Sequence, residues 1–303
     1  MLKKDFIDAM FDDEGFVISF QVSQKEEITK FFETFGFVVV NEVLNEEEIK
    51  ETSDEFFLSF DNGVNATDEE LEKFYVDQRF GEFGIIGPGP NLESIAQLNN
   101  RQNPKVHEAF SVILKTNDLI VEHDRLGALR PTFRKSGEKT NWRTRAKWLH
   151  LDCNPSIGTA SIGGFKMENY EPIDFEKTLV VQGLITLTDA TVDDGGFHCI
   201  PGGHLFSQKW SKDKTCMQVE LEDPIRADIK NIPIRKGCLL VWNSLLFHGN
   251  HPNFSKNWRI VQYIRMLPNK GTPYSPLFPE MKYYPPQFQM TPLGRKLFGI
   301  EHW

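Results

Sequence analysis

The chain has 303 residues, of which 40% are hydrophobic and 25% are charged, a balance typical of a globular protein with a sizeable core. Its 34 lysines and arginines against 43 aspartates and glutamates give a net charge of −9. This excess of acid argues against non-specific binding of nucleic acid, which requires a basic surface. The composition therefore predicts no nucleic-acid partner.

No targeting or membrane segment is evident in the sequence. There is no run of 18 apolar residues, so no membrane span is predicted. The opening MLKKDFIDAMFDDEG lacks the apolar stretch of a signal peptide, and the closing GIEHW is not a peroxisomal signal. The four cysteines form no CxxC pair, which predicts reduced thiols rather than a zinc or redox motif. The default expectation is a cytoplasmic protein.

Residues 1–125 are predicted to be mainly helical. In SQKEEITKFFETFG, Ser23 is followed three residues later by Glu26, the pattern of a capping box, and Gly36 fits the end of a helix. The run FVVV then predicts a short strand. NEEEIKETSDEFFLSF predicts another helix, with its acidic residues at the end where the helix dipole favours them. The Gly- and Pro-rich stretch 81–91 has no phosphate-binding motif and is predicted to be a loop.

After about residue 127 the pattern changes to short β-rich runs separated by turns. Examples are KTLVVQGLITLTDAT, GGFHCIPGGH and NWRIVQYIRML. Helices followed by strands favour an all-β barrel or sandwich with helices packed outside it. We therefore predict a single domain, 1–303, with helical support in 1–125, a β core with the active site in 126–268, and a C-terminal wrap in 269–303.

The stretch WLHLDCNP contains a His-x-Asp pair, His150 and Asp152. On a β-strand, residues two apart project from the same face, so these two side chains would point together with Trp148. An isolated His-x-Asp is common. With one distant histidine, however, the pair would complete a 2-His-1-carboxylate triad, which leaves three positions of an octahedral Fe(II) open. The remaining histidines decide whether this site exists.

Four later histidines are candidates for the third ligand. His248 ends the apolar run LLVWNSLLFHGN just before a glycine, where a strand would reach the mouth of a barrel. His198, His204 and His251 lie nearby in the sequence. Spacing alone favours His248 and leaves the other three open.

Arg259 follows His248 by eleven residues, at the start of a predicted strand. A guanidinium that is partly buried in a barrel needs an anion, and its planar fork matches a carboxylate bidentately. The alternative is a surface arginine on an edge strand. Together with the His-x-Asp pair and a later histidine, Arg259 indicates an iron site with a dicarboxylate co-substrate.

These blocks, in this order, resemble the phytanoyl-CoA dioxygenase-like family of Fe(II)/2-oxoglutarate-dependent oxygenases. The likeness covers most of the chain: FFETFGFVVVNEVLNEEEI, WLHLD, QGLITLTDATVDDGGFHCIPGGH, FHGNHPNFSKNWRIVQY and TPLGRKLFGIEHW each match a family segment. The resemblance implies a mainly β protein with surrounding helices, built on a double-stranded β-helix, a cupin-like jelly roll.

The resemblance also implies roles for individual residues. The iron ligands would be His150, Asp152 and His248, which would form the catalytic centre, and Arg259 would bind the distal carboxylate of 2-oxoglutarate. The implied cofactors are Fe(II), 2-oxoglutarate and O2, with ascorbate as a possible support of activity. His204 falls in a Pro-Gly-x-His segment where the family's histidine is structural.

Further assignments follow from the same comparison. His251 falls at a variable loop position. Asn250 stands where many relatives carry serine, and we predict that it contacts the co-substrate carboxylate. Gln182 lies on a predicted strand whose alternate residues should face the cavity, so we predict that it touches co-substrate or substrate. Because Asp152 fills the position that related halogenases leave open for chloride, no halogenation is expected.

The segment 130–148 carries seven cations and one acid in an otherwise acidic protein. One reading is a solvated loop. The other is an anionic substrate, a small carboxylate or an acyl thioester, because the segment leads directly into the His-x-Asp strand. On this reading Arg143, Arg145 and Trp148 are candidate substrate residues. The loops 81–91 and 153–172 are candidates for closing the site.

Three functions remain open from the sequence. The first is hydroxylation of a small, anionic molecule. The second uses the same cofactors for desaturation or oxidative cyclisation in natural-product biosynthesis, and product mass would separate it from the first. The third is a jelly-roll binding module without catalysis, which the complete set of four site residues argues against. The oligomeric state is open, and a monomer is compatible with the sequence.

Overall fold

The computed structural model describes residues 7–75, 81–86, 94–156, 158–160, 173–269 and 284–303. Its helices are α1 (Lys25–Phe35), α2 (Glu46–Phe57), α3 (Asp68–Lys73), α4 (Ile95–Arg101), α5 (Pro104–Leu114), α6 (Ser207–Ser211) and α7 (Pro292–Leu297). Its strands are β1 (Phe37–Val40), β2 (Ile85–Ile86), β3 (Leu119–Val121), β4 (Leu126–Leu129), β5 (Cys153–Asn154), β6 (Thr159–Ala160), β7 (Val181–Thr186), β8 (Gly196–Cys199), β9 (Lys230–Asn231), β10 (Leu239–Asn243), β11 (His248–His251), β12 (Arg259–Ile264) and β13 (Met266–Pro268).

Two antiparallel sheets form the core. The major sheet has the strand order β1-β10-β7-β12-β4-β2, and the minor sheet has the order β11-β8-β9. An antiparallel bridge between His150 and His248 extends the minor sheet by one segment, and a second bridge joins His150 to Gln218. One buried cluster contains Leu184 and Leu240 of the major sheet together with Phe197 of the minor sheet. The predicted fold class, a mainly β jelly roll with surrounding helices, is confirmed.

The helices cover the outer face of the major sheet. Val38 and Val241 pair across β1 and β10 and belong to a second cluster that includes Ile28 of α1 and Phe110 of α5. Their neighbour Phe37 points to the opposite face and packs in the cluster between the sheets. Burial on both faces explains why β1 reads FVVV, with no polar residue in alternation.

The N-terminal region contributes more than helical support. β1 and β2 form the two edges of the major sheet, so the predicted division at residue 125 cuts through this sheet. Local periodicity does not encode pairing between strands that lie far apart in the chain. The sequence analysis therefore assigned β1 and β2 to a region separate from the β core.

Helix ends test the capping predictions directly. Gly36 adopts the left-handed conformation after α1, with φ +80°, as predicted. The prediction of a capping box at Ser23 is wrong. The N-cap residue of α1 is Gln24, and its side chain makes no capping hydrogen bond. A complete capping box occurs instead at α2, where Asn45 and Glu48 each accept from the backbone N–H of the other.

The predicted C-terminal wrap and closing loops are only partly described. Residues 270–283 of the wrap, 87–91 of the first candidate loop, and 157 and 161–172 of the second lie outside the described residues. At the chain end, the indole N–H of Trp303 donates to the carbonyl of Leu119 at 2.7 Å. Among the described helices, none combines the length and apolar character needed to span a bilayer.

Candidate active site

His150 and His248 lie on neighbouring antiparallel segments of the minor sheet. The N–H of His150 donates to the carbonyl of His248 at 2.9 Å, and the reciprocal bond is 3.0 Å. This pairing sets the imidazole centroids 4.6 Å apart. Asp152 lies two residues beyond His150, and one ligand atom from each of the three residues falls within 4.8 Å of the others. Strand pairing therefore brings together side chains that are far apart in the sequence.

Backbone carbonyls orient both imidazoles. Nδ1 of His150 lies 3.1 Å from the carbonyl of Trp148, and Nδ1 of His248 lies 2.9 Å from the carbonyl of Leu246. Because a carbonyl only accepts, each Nδ1 carries the proton and each Nε2 keeps its lone pair in the neutral ring. The two Nε2 atoms lie 3.3 and 3.1 Å from the Asp152 oxygens. Two lone pairs facing a carboxylate form a donor set that a divalent cation would stabilise.

The charges within this group are strongly coupled. Burial disfavours ionisation of Asp152, but the charge of His248 and the hydrogen bonds that both rings would donate to the carboxylate when protonated on Nε2 outweigh burial and lower its pKa. Burial lowers the pKa of His150, and the hydrogen bond and charge of Asp152 reverse this, so that the net change is upward. The carboxylate is therefore ionised at neutral pH, as a metal ligand must be.

A cavity of about 270 Å³ opens onto the three residues. It lies at the end of the space between the two sheets, since Leu184, Trp242 and Tyr263 of the major sheet and Phe197 of the minor sheet contribute to its wall. The remaining lining residues are Phe83, Ile85, Asp124, Arg125, Trp148, His150, Asp152, Gln182, His248, Gly249 and Asn250. The cavity is large enough for small organic molecules and is mostly apolar, as ligand sites usually are.

Aromatic rings support the two histidines from both sides. Trp148 stacks on His150, with centroids 4.7 Å apart and an interplanar angle of 13°, and Phe83 packs against Trp148 at 4.7 Å. Phe197 stacks on His248 at 5.7 Å. These contacts hold each ring in one orientation, which favours a preorganised site.

Arg259 is buried close to the cavity and forms no ion pair with any residue that the structure describes. Its side chain is 2% exposed, and Nε and Nη1 have no hydrogen-bond partner among the described residues. Burial lowers the pKa of this guanidinium, and the neighbouring phenol of Tyr263, which lines the cavity, acts in the opposite direction. Burying a guanidinium with unpaired donors costs free energy unless an anion accepts its hydrogen bonds. The arrangement therefore fits the carboxylate of a ligand.

Asn250 and Gln182 both line the cavity, as the sequence predicted for Gln182. Nδ2 of Asn250 donates to the hydroxyl of Tyr263 at 3.3 Å, and the backbone carbonyl of Asn250 accepts from the indole N–H of Trp148 at 3.0 Å. Nε2 of Gln182 donates to Oδ2 of Asp152. The amide of Gln182 thus touches the candidate metal ligand.

None of the seven cations of segment 130–148 lines the cavity. Arg143 and Arg145 are exposed, stack over Phe254 at 6.0 Å and Phe83 at 5.5 Å respectively, and are absent from the cavity wall. Arg130 is buried and donates to backbone carbonyls, including that of Trp142 at 3.0 Å. Of the three candidate substrate residues, only Trp148 lines the cavity.

Two charged residues of the cavity wall were missed by sequence reasoning. Asp124 and Arg125 form an ion pair at 3.2 Å and lie between β3 and β4. The sequence analysis placed them at the end of a mainly helical stretch and therefore did not predict that they lie near the three candidate metal ligands. The only local signal is the adjacent pair of opposite charges, which is common on protein surfaces.

The other candidate histidines lie outside the metal-ligand group found among the described residues. Nε2 of His204 lies 3.2 Å from the carbonyl of Glu33, a structural contact. His198 and His251 stack on each other at 6.2 Å, and burial lowers the pKa of His198 to about 3 and that of His251 to about 4. Both are neutral at physiological pH.

Comparison with known proteins agrees with the site. Residues 123–261 match the sequence profile of the family described as phytanoyl-CoA dioxygenase. A Dictyostelium discoideum protein assigned to the phytanoyl-CoA dioxygenases is 33% identical over 245 residues, which cover 72% of this chain and 68% of that protein.

Solved structures share the fold at low sequence identity. One is the epimerase SnoN, solved with Fe3+, alpha-ketoglutarate and nogalamycin RO, with a TM-score of 0.52, 15% identity, and coverage of 84% of this chain and 88% of SnoN. Another is the apo form of the non-heme monooxygenase ThoJ, with a TM-score of 0.51, 17% identity, and coverage of 84% and 80%. AviO1 from Streptomyces viridochromogenes Tue57 has a TM-score of 0.50, 16% identity, and coverage of 83% and 98%.

Proposed function

The chain belongs to the phytanoyl-CoA dioxygenase family, and we propose that it is an Fe(II)- and 2-oxoglutarate-dependent oxygenase that hydroxylates a small, anionic molecule. The observation that carries the proposal is the convergence of His150, Asp152 and His248 on one cavity. These residues would hold Fe(II) through two imidazoles and one carboxylate, a set that leaves one face of the metal open. When bound, Fe(II), 2-oxoglutarate and O2 supply an oxidant of C–H bonds, with release of succinate and CO2.

The residues near Arg259 fit the distal carboxylate of 2-oxoglutarate. The unpaired Nε and Nη1 of the guanidinium offer charged donors that the oxygens of a carboxylate would accept. Tyr263 and Asn250 line the adjoining wall and add a hydroxyl and an amide. Fixing both ends of the co-substrate orients its keto acid toward the three ligands.

Apolar side chains of the wall would hold the substrate and exclude water. Phe83, Ile85 and Trp148 line the cavity beside His150, where a C–H bond must be presented. Exclusion of water protects a reactive oxidant from side reactions. Arg125 lies in the same wall, where it is ion-paired with Asp124.

Arg143 and Arg145 remain candidates for attracting an anionic substrate. They are exposed, and Arg145 lies over Phe83, which lines the cavity. Clustered charges of one sign near a cleft raise the local concentration of oppositely charged ligands without contacting them in the bound state.

The first test is anaerobic addition of Fe(II) and then 2-oxoglutarate to the apoprotein. A weak visible charge-transfer band is expected in the wild type. Asp152→Ala should lose the band because a ligand is missing, and Arg259→Ala should need at least about tenfold more 2-oxoglutarate because charge-assisted hydrogen bonds to its carboxylate are lost. The exposed Asp213→Ala serves as a matched control and should behave as the wild type. Absence of the band together with loss of iron from the wild type would favour the binding-module alternative.

The second test identifies the reaction by product mass. Carboxylic acids and their neutral amide analogues are incubated with the loaded enzyme, and preference for the acids is expected. Hydroxylation adds one oxygen, whereas desaturation or cyclisation removes two hydrogens. Products of the second kind would replace hydroxylation with the alternative reaction, and equal turnover of acid and amide would remove the requirement for an anion.

A further inference from the structure

Gln182 reaches the candidate metal ligand Asp152 from the opposite sheet. It lies on β7, which pairs with β10 on one side and β12 on the other, and it stands directly opposite Trp242. Its Nε2 donates a hydrogen bond to Oδ2 of Asp152. Because β7 is paired on both sides, the backbone that carries this amide is held firmly, whereas Asp152 lies in an irregular segment.

Packing alone does not explain a polar residue at this position. The nearest residues on the same inner face, Leu184 on β7 and Trp242 on β10, are apolar. A leucine or methionine at position 182 would continue this surface. The amide instead makes a hydrogen bond to a charged group, which is worth more than a neutral one.

The hydrogen bond distinguishes the two oxygens of the carboxylate. Oδ2 accepts from Gln182 and lies 3.1 Å from Nε2 of His248, whereas Oδ1 lies 3.3 Å from Nε2 of His150. Carboxylates bind metals through one oxygen or through both. A donor held on one oxygen occupies a lone pair and resists rotation of the group, as partners of metal ligands commonly do.

We propose that Gln182 is a positioning residue that keeps Asp152 a one-oxygen ligand of the metal. Two imidazoles and one oxygen leave three octahedral positions open. Bound 2-oxoglutarate and O2 would require these positions, so a second carboxylate oxygen from Asp152 would compete with them. This inference rests on the proposed function. It gives Gln182 the role of orienting Asp152 rather than of contacting the co-substrate.

The test uses two variants that remove this donor in different ways. Gln182→Met keeps an unbranched side chain of similar length without a donor, and Gln182→Asn keeps an amide that is one methylene too short. The exposed Gln208→Met is the matched control for loss of a glutamine amide. Each protein is titrated anaerobically with Co(II), whose visible absorption reports ligand number, and separately with Fe(II) and 2-oxoglutarate.

Both Gln182 variants should still bind Co(II), but with a visible spectrum that differs from the wild type. Their affinity for 2-oxoglutarate, read from the charge-transfer band, should fall about tenfold, which corresponds to about 1.4 kcal/mol. A merely structural role would change the melting temperature and leave the Co(II) spectrum unchanged. If the methionine variant does not fold, the asparagine variant carries the test.

Two negative results are distinguishable. No charge-transfer band in the wild type would overturn the proposed function and the role of Gln182 with it. A normal band in the wild type, with unchanged Co(II) spectra and unchanged co-substrate affinity in both Gln182 variants, would overturn the positioning role alone.

Discussion

Gly196 is the residue against which the Arg259 side chain packs. Its φ is +120°, a conformation that is costly for any residue with a Cβ. A Cβ at this position would lie 3.1 Å from Nε of Arg259. Gly196→Ala should therefore lower the free energy of unfolding by about 1–3 kcal/mol and weaken binding of 2-oxoglutarate. Chemical denaturation and titration of the charge-transfer band measure the two effects.

Gly137 provides the matched control for this substitution. Its φ is +90°, and a Cβ there would meet nothing within 4 Å. Gly137→Ala should therefore cost backbone strain and leave co-substrate affinity unchanged. Equal co-substrate affinity in the two alanine variants would show that the contact between Gly196 and Arg259 has no bearing on the ligand.

At the residue scale, the sequence predicted the site best where the signal was local. His150 and Asp152 stand two apart, a spacing that predicts one shared face on a strand. The structure brings the two side chains together although Asp152 itself lies in a bend. Gln182 was predicted to face the cavity from strand alternation, but its bond to Asp152 depends on how two sheets pack. The local signal at Arg125 does not identify a site, because an arginine beside an aspartate is common on protein surfaces.

At the element scale, the capping box of α2 gives a stability prediction that is independent of the cavity. The side chain of Asn45 accepts from the N–H groups of Glu47 and Glu48. Asn45→Ala should lower the free energy of unfolding by about 1 kcal/mol because these donors lose their acceptor. Urea denaturation measures the loss, and the charge-transfer band should stay unchanged because α2 contributes no residue to the cavity wall.

A conservative change at the same cap serves as the control. Glu48→Gln keeps an oxygen that can accept from the N–H of Asn45, so most of the stability should remain. An effect on unfolding equal to that of Asn45→Ala would mean that charge near the helix dipole, rather than the hydrogen bonds, stabilises this end.

The same scale shows which elements could be predicted. α2 was recognised because its acidic start and apolar spacing are contained in one stretch of chain. β3, a strand of three residues, was read as part of a helix, since it is too short for a clear period of two. The edge positions of β1 and β2 depend on partners far along the chain and had no local signature.

At the scale of the whole molecule, buried His123 links stability to pH. The residue is 3% exposed and stacks on Phe298 at 5.5 Å, and burial, with the charge of Arg101, lowers its pKa to about 3. Below about pH 6.5 the unfolded chain takes up a proton that the folded protein does not. The free energy of unfolding should therefore fall as the pH drops from about 6.5 toward 3, by at most about 1.4 kcal/mol per pH unit from this residue.

His123→Phe isolates this contribution because phenylalanine can keep the stack on Phe298 and does not titrate. Urea denaturation at about pH 7.5 and 5.5 should show a smaller loss of stability on acidification for the variant than for the wild type. The same loss in both proteins would show that His123 does not contribute to the pH dependence.

The sequence by itself determined the fold class, the family and the order of the candidate metal ligands along the chain. These features can be predicted from the sequence because they depend on short motifs and on the order of those motifs along the chain. Only the tertiary structure decided that the backbone of His150 pairs with that of His248, that Gln182 holds Asp152, and that Arg125 rather than Arg143 lies in the cavity wall. These contacts depend on the register of strands and on the packing of one sheet against another, which no stretch of sequence encodes locally.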